Sequence, residues 1–170
     1  MEQYMRDVKI MSLYEGTNGI QSLDLMGRKM RINNGASFKA YMSEVETFIQ
    51  DNNSHPVVGQ EVKLLGETVS RLKEISSTMA EMSKADPLQW ASYTYPALLC
   101  FGDVSMSWRL LDMAVIAQRK IDEEGENPFY LGKVMQATYF IGVTLPLTMA
   151  RLETCIRTGR EVIEIAEEGF

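Results

Sequence analysis

The sequence has few cysteines, a single histidine and fewer basic residues than acidic ones. Its 170 residues include two cysteines, Cys100 and Cys155, far apart in apolar stretches. This excludes a disulfide scaffold or a cysteine-based zinc site and favours reduced thiols. With His55 as the single histidine, no multi-histidine metal site can form, and a Ser-His-Asp triad could be built only around it. The 17 lysines and arginines against 23 acids give a net charge of −6, which argues against nucleic acid as a partner.

Long hydrophobic runs and a targeting segment are also missing. The first seven residues are polar, and the longest apolar stretches, residues 96–101 and 139–147, are too short to span a bilayer. We therefore expect no membrane span and a cytoplasmic location. Hydrophobic residues at 45% and charged residues at 24% are typical of a globular chain. The twelve methionines are expected mostly as packing between helices.

Apolar residues recur at gaps of three and four along the chain after residue 36, which predicts helices and almost no strand. The predicted helices cover residues 36–49, 58–82, 87 to the polar stretch 119–125, and 128 to Gly159. Their start signals are Ser54 with Pro56, Asp86 with Pro87, and Asn127 with Pro128. Pro96 and Pro146 are expected to kink two of the helices, and residues 160–168 form a short acidic tail. The pattern predicts an all-α fold, an up-and-down antiparallel four-helix bundle.

The first 35 residues follow a different pattern. Two glycines within the turn-rich residues 15–19 predict a helix–loop–helix rather than one continuous helix. The asparagines and glycine at 33–35 mark a boundary, so we divide the chain into residues 1–34 and residues 35–170.

The turn at residues 15–19 is the one segment that carries chemistry. Glu15 places a carboxylate just before a helix start that Thr17 or Asn18 can cap, and a helix start favours an anion such as a phosphate. Gly16 and Gly19 lack a β-carbon, so a flat ligand or a backbone can approach closely. A carboxylate on such a loop is a candidate general base, although the same residues also fit an ordinary capped turn with an exposed glutamate.

The same region resembles a known enzyme family. Residues 4–10, YMRDVKI, and residues 13–21, LYEGTNGIQ, resemble the C-terminal signature of the acyl-CoA dehydrogenases. The continuation at residues 22–30, SLDLMGRKM, resembles the longer clade of that family, whose members carry an appended helical domain. The resemblance is close over about the first 32 residues, while residues 36–170 agree with the appended domain in pattern and length.

This resemblance implies a reaction and a role for each residue of the turn. Glu15 matches the base that removes the α-proton of an acyl-CoA thioester, while the β-hydrogen leaves as hydride to FAD and gives a trans-2-enoyl-CoA, as in fatty acid β-oxidation. Gly16 matches the glycine that lies against the substrate. Thr17, Asn18 and Gly19 match the stretch that approaches FAD, and no metal site is implied. Family members assemble as homo-oligomers.

The chain lacks most of what the family uses to hold flavin and substrate, namely an N-terminal helical domain and a middle β-domain. We therefore expect it to be a C-terminal piece of a longer dehydrogenase, inactive alone, whose bundle packs on the catalytic core or forms oligomers. The alternative is a non-catalytic helical interaction module, unrelated to redox chemistry, that carries the turn by chance.

Four other features are expected to have structural rather than functional roles. His55 is expected to cap a surface connection, and Trp90 and Trp108 to pack in a core or interface. The basic residues at 28–31 fit surface charges, although they could meet a phosphate of FAD or CoA. The acidic run at 122–126 lacks the ligand spacing of a calcium loop.

Overall fold

The computed structural model describes residues 2–12, 17–157, 159–161 and 163–169, and only the backbone of Ser12. These residues form helices and no strand. The α-helices are α1 (Glu2–Lys9), α2 (Asn18–Leu23), α3 (Ile32–Asn52), α4 (Gly59–Ala85), α5 (Pro87–Glu124) and α6 (Pro128–Thr154). A π-helix spans Asp24–Lys29, and 3-10 turns span Ile10–Ser12 and Glu167–Gly169. None of the helices in the described ranges is long and apolar enough to cross a membrane.

Helices α3 to α6 form the predicted up-and-down bundle. A single residue separates α4 from α5, and three residues separate α5 from α6, so consecutive helices fold back on each other. Asp103, in the first half of α5, meets Thr148 near the end of α6, as antiparallel neighbours require. Phe38 of α3 packs edge-on against Phe101 of α5 with ring centroids 6.0 Å apart, and Tyr41 packs against Trp108 further along both helices, so these two helices run parallel. The predicted all-α bundle is confirmed.

Two of the predicted helix starts are confirmed by their hydrogen bonds. The Asp86 side chain accepts the backbone N–H of Gln89 at the start of α5, at 3.2 Å. The Asn127 side chain accepts the N–H of Phe129 at the start of α6, at 2.9 Å. In each case a proline takes the first helical position, where its missing N–H costs nothing.

The start of α4 differs from the prediction. The helix begins at Gly59, three residues after Pro56, and Ser54 does not cap it. Instead, Nδ1 of His55 accepts the N–H of Val58 at 3.3 Å, in the turn that leads into the helix. The His55 ring thus caps the turn before α4, as expected, although no side chain caps the helix itself.

The end of α6 also differs from the prediction. The helix stops at Thr154 rather than continuing to Gly159, and the N–H of Cys155 turns back to the carbonyl of Leu152 at 3.0 Å. The following backbone is tied to α5, because Gln89 Nε2 donates to the carbonyl of Arg157 at 2.7 Å. A bond from another helix thus satisfies a carbonyl that would otherwise extend α6.

The backbone breaks near the predicted domain boundary. Asn33, Asn34 and Gly35 have φ values of 51°, 55° and 77°, so the regular part of α3 begins at Ala36. Asparagine and glycine tolerate this left-handed conformation better than other residues. Gly35 is buried, and a β-carbon there would lie 3.3 Å from the carbonyl oxygen of Met30. The division of the chain at this break remains a prediction.

The core contains mainly aliphatic residues and few methionines. Its largest fully buried side chains are Leu65, Leu72, Ile75, Met79, Leu111, Ile141, Leu145 and Leu152. Met26, Met42 and Met79 are buried, and Met30 and Met149 pack against the core, in agreement with the expected packing role, whereas five other methionines are exposed: Met5, Met11, Met106, Met113 and Met135. These five lie on helix faces that the described residues leave uncovered. The expected packing role of tryptophan is confirmed for Trp108, which is buried against Tyr41.

The two cysteines are free and buried, as the sequence predicts, but they are neighbours in space. The Cys100 thiol lies beside the carbonyl of Thr148, and the Cys155 thiol beside that of Arg151, one turn further along α6. The hydrogen bond with Cys155, together with burial, raises the pKa of the Cys100 thiol. We read the pair as packing thiols between α5 and the end of α6.

Candidate functional site

Three of the five predicted site residues lie at the start of α2. Glu15 and Gly16 fall outside the described residues, while Thr17, Asn18 and Gly19 are exposed at the helix start. Thr17 occupies the capping position, but its hydroxyl makes no capping hydrogen bond within the described chain. Its carbonyl accepts the N–H of Gln21 at 2.9 Å. The expected side-chain cap is therefore not formed by Thr17.

Helix α2 is fixed to the bundle by a buried pair of hydroxyl groups. Ser22 is fully buried, and its Oγ lies 3.0 Å from Oγ1 of Thr94 on α5. The Ser22 hydroxyl also donates to the carbonyl of Gly19 at 2.8 Å. Because buried hydroxyls must find partners, this pair fixes how Thr17 and the residues after it are placed relative to α5.

The π-helix after α2 brings a glycine against a tryptophan. The N–H of Met30 donates to the carbonyl of Leu25 at 3.0 Å, the wider spacing of a π-turn. A β-carbon at Gly27 would lie 3.2 Å from Cη2 of Trp90, so a larger side chain would push the indole away. Trp90 is half-buried, in agreement with its expected packing role. This contact is a second attachment between the N-terminal segment and α5.

The basic residues at 28–31 are largely paired within the chain. Asp24 accepts Nε and Nη2 of Arg28 at 2.6 and 2.9 Å, and Nζ of Lys29 lies 3.6 Å from the same carboxylate. The Arg28 guanidinium lowers the pKa of Asp24. Arg31 donates to the hydroxyl of Ser83 at 2.5 Å. These contacts favour the surface-charge interpretation over a phosphate site.

An apolar cleft opens beside the π-helix, between α3 and α5. It has a volume of about 340 Å³, within the range of small-molecule sites. Its lining residues are Leu25, Lys29, Met30, Ser37, Phe38, Tyr41, Leu98, Phe101, Gly102 and Ser105. The Tyr41 hydroxyl lies 2.8 Å from Oγ of Ser105, and burial raises the pKa of Tyr41.

The cleft was not predicted from the sequence, which marks Phe38 and Tyr41 only as members of a helical stripe. Gly102 is the one local signal, since it removes a side chain from the face of α5 that borders the cleft. The described lining carries no carboxylate or imidazole, so the cleft has binding walls but no acid–base pair for catalysis. Within the described residues there is also no group of three or more metal-ligating side chains.

The bundle and the segment before it can now be compared with known proteins. A family model described as Acetyl-CoA dehydrogenase C-terminal like matches residues 41–166, most of α3 and all of α4 to α6. The chain belongs to this family. The match identifies the bundle as a domain of this family. The N-terminal segment that contains Glu15 lies outside the matched range.

Curated relatives of the chain include longer dehydrogenases. The chain is 27% identical to a broad-specificity linear acyl-CoA dehydrogenase, FadE5, of Mycobacterium tuberculosis, over all of this chain and 29% of that protein. It is 27% identical to a butyryl-CoA dehydrogenase of Syntrophomonas wolfei, over 97% of this chain and 28% of that protein. A 3-methylmercaptopropionyl-CoA dehydrogenase of Ruegeria pomeroyi is 24% identical over 81% of this chain. The chain thus spans less than a third of the length of these relatives.

Proposed function

We propose that the chain is the C-terminal part of an FAD-dependent acyl-CoA dehydrogenase that converts an acyl-CoA thioester to a trans-2-enoyl-CoA. One observation carries this proposal. Thr17, Asn18 and Gly19, the described part of the family-like motif, form the start of α2, which the Ser22–Thr94 contact holds on the family-matched bundle. A chance turn has no reason to be attached in this way, whereas the end of a catalytic domain has.

Glu15 is the proposed base. Its carboxylate would take the α-proton of the thioester as the β-hydrogen leaves as hydride, so the carbon skeleton loses one proton and one hydride. A glutamate with an ordinary pKa of about 4.3 is a weak base, and exclusion of water by the bound acyl chain makes it stronger. FAD, when bound, supplies the acceptor for the hydride.

The described residues fit the edge of a flavin site but do not form the whole of it. Thr17, Asn18 and Gly19 are exposed, and a β-carbon built at Gly19 would meet no described atom within 4 Å apart from its chain neighbours and the backbone of its own helix. A cofactor can therefore approach this backbone without obstruction. The described residues provide no wall that would enclose an isoalloxazine ring there, so the rest of the site must come from the catalytic domains of a longer chain.

Helix α1 is the proposed docking element for those domains. Tyr4, Met5 and Val8 of α1, and Met11 in the 3-10 turn that follows it, are all more than half exposed, although each is hydrophobic. Such a concentration of exposed apolar side chains on one short helix marks a face that packs on something else. We assign residues 1–34 to the end of the catalytic domain, and we expect the 170-residue chain alone to bind no flavin and to be inactive.

The bundle of residues 35–170 has the proposed role of packing or oligomerisation. The alternative is a helical interaction module with no redox role, which the lack of an acid–base pair in the cleft between α3 and α5 allows. The coding sequence upstream of residue 1 discriminates between the two. A strand-rich domain there supports the dehydrogenase, and an unrelated domain supports the module.

The experiment that tests the proposal uses the full-length gene product. We expect purified protein to show a flavin spectrum that bleaches when acyl-CoA thioesters of increasing chain length are titrated in. Glu15→Gln should retain the flavin but lose the bleaching. Glu67→Gln, the same change on the exposed face of α4, is the matched control and should behave like the wild type. Full-length protein without flavin, or bleaching that survives Glu15→Gln, would contradict the proposal.

A further inference from the structure

Helix α2 is attached to the bundle by a polar contact rather than by a buried apolar face. Of its six residues, all of them described, only Ser22 is buried, whereas Ile20 and Leu23 are 67% and 38% exposed. Apolar contacts hold a helix on a surface without fixing one orientation, because the hydrophobic effect is not directional. A buried hydroxyl needs a partner at a defined distance and angle. The Ser22 contact therefore fixes the orientation of α2 as well as its attachment.

The contact between Ser22 and Thr94 is directional, because each hydroxyl carries one proton and their oxygens lie 3.0 Å apart. When Ser22 donates to the carbonyl of Gly19, at 2.8 Å, the proton between the two hydroxyls comes from Thr94. When Thr94 donates to the carbonyl of Ala91 instead, at 2.9 Å, Ser22 supplies that proton. In both arrangements the hydroxyls join α2 to α5, and in the first the chain of bonds ends at Gly19.

The supporting residues on α5 are one helical turn apart. Trp90, which contacts Gly27 of the π-helix, precedes Thr94 by four residues and so lies on the same side of α5. Helix α2 packs on α5 and on the π-helix that continues it. The side chain of Thr17 makes no capping hydrogen bond within the described chain, so it does not fix the helix start by itself. The placement of this start therefore depends on α5.

We propose that Thr94, a residue of the bundle, is a positioning residue for the reaction assigned to the turn at residues 15–19, an inference that rests on the proposed function. Through Ser22, its hydroxyl holds the backbone at Gly19, in the stretch proposed to approach FAD. Displacing a reacting group by about 1 Å can reduce a rate by about 100-fold, even when the altered residue lies far from the reacting atoms. The bundle thus supports the chemistry of the catalytic domain, in addition to its proposed packing role.

Three variants of the full-length gene product, compared with the wild type, test the proposal. Thr94→Val keeps the shape of the side chain but removes its hydroxyl, whereas Thr94→Ser keeps the hydroxyl. Thr68→Val is the matched control, because Thr68 is also fully buried but its hydroxyl donates to the carbonyl of Leu64 within α4. Circular dichroism and flavin content are recorded for each variant, so that a loss of fold is recognised.

The rate of flavin bleaching at saturating acyl-CoA is the main measurement. We expect Thr94→Val to slow bleaching at least ~10-fold, while flavin content and the Kd for acyl-CoA stay within about twofold of the wild type. Thr94→Ser should bleach within about threefold of the wild-type rate, since it restores the hydroxyl. Thr68→Val should bleach like the wild type. A mere loss of stability would affect the two valine variants alike and would not be rescued by serine.

Hydrogen exchange measures the hold on α2 directly and without substrate. The amides of residues 21–23 should exchange at least ~10-fold faster in Thr94→Val, while those of α4 keep their wild-type rates. Ser22→Ala removes the other hydroxyl and should give the same pattern, so the test does not depend on how well one variant folds.

Two kinds of failure are distinguishable. Wild-type bleaching or exchange rates in Thr94→Val, or equal losses in Thr94→Val and Thr68→Val, would overturn the role of Thr94 and leave the proposed function standing. A wild-type protein that does not bleach would contradict the proposed function itself, and with it the role of Thr94 in the reaction.

Discussion

Two leucines on α6 allow a direct test of the bundle packing, because the same substitution can be made on the buried and on the exposed side of one helix. Leu145 is completely buried and Leu147 is 60% exposed, two residues further along. Leu145→Ala removes buried methyl groups and leaves a cavity between packed helices. The expected loss is about 2–5 kcal/mol of unfolding free energy. Leu147→Ala removes a side chain that already contacts solvent, so the expected change is within about 0.5 kcal/mol.

The measurement is urea unfolding followed by circular dichroism, at ~1 μM chain so that self-association adds little to the stability. Both variants should keep the wild-type dependence on denaturant, with only the midpoint of Leu145→Ala shifted. Equal losses for the two variants, or a loss below about 1 kcal/mol for Leu145→Ala, would refute the packing described for α6.

Two further predictions concern polar groups between and within the helices. Glu153 of α6 accepts two hydrogen bonds from Arg71 of α4, at 2.7 and 2.6 Å, and this contact lowers the pKa of Glu153 from its ordinary value of 4.5. The pair's contribution is therefore complete above that ordinary value and is lost as the pH falls through the lower folded-state pKa. In Glu153→Gln, the free energy of unfolding should therefore depend less on pH over this acidic range than in the wild type. An unchanged pH dependence would contradict the stabilising role of the pair. The buried hydroxyl of Ser107 has no hydrogen-bond partner among the described residues. Ser107→Ala should therefore raise the free energy of unfolding by about 1 kcal/mol in urea titrations. A lower free energy of unfolding would show that the hydroxyl does have a partner.

Most of the bundle was predictable because its signals are local. The periodicity of apolar residues depends only on the neighbouring turns, and Asp86 and Asn127 cap helices through bonds to residues two or three positions away. The two errors at helix ends have non-local or unusual causes. Before α4, a ring nitrogen of His55 bonds to the turn and the helix has no side-chain cap. After α6, the backbone is held by a bond from Gln89, far away in the sequence.

The surroundings of the site were harder to predict. The Ser22–Thr94 pair joins residues separated by 72 positions, and neither residue has a distinctive neighbourhood in the sequence. The π-turn that places Gly27 against Trp90 has no signature in composition or periodicity. Glu15 and Gly16 were proposed from their resemblance to a family motif, and because they lie outside the described residues their roles remain proposals.

The exposure of α6 shows why helical periodicity alone cannot identify a core. Phe129, Val143 and Leu147 fit the predicted helix as well as Ile141 does, but only Ile141 is buried. A stripe of apolar residues indicates that a face is covered, without indicating whether the cover comes from the same chain. The absence of charge between Lys133 and Arg151 is the signal that could have raised this question from the sequence.

The role of Glu15 is tested most directly by the rate of flavin bleaching when full-length protein is mixed rapidly with a saturating acyl-CoA. A positioned general base contributes about 10²- to 10⁴-fold to a rate, so Glu15→Gln should slow bleaching at least ~100-fold while flavin content stays equal to that of the wild type. A Glu15→Gln protein that keeps its flavin and bleaches within about threefold of the wild-type rate would show that another group removes the proton.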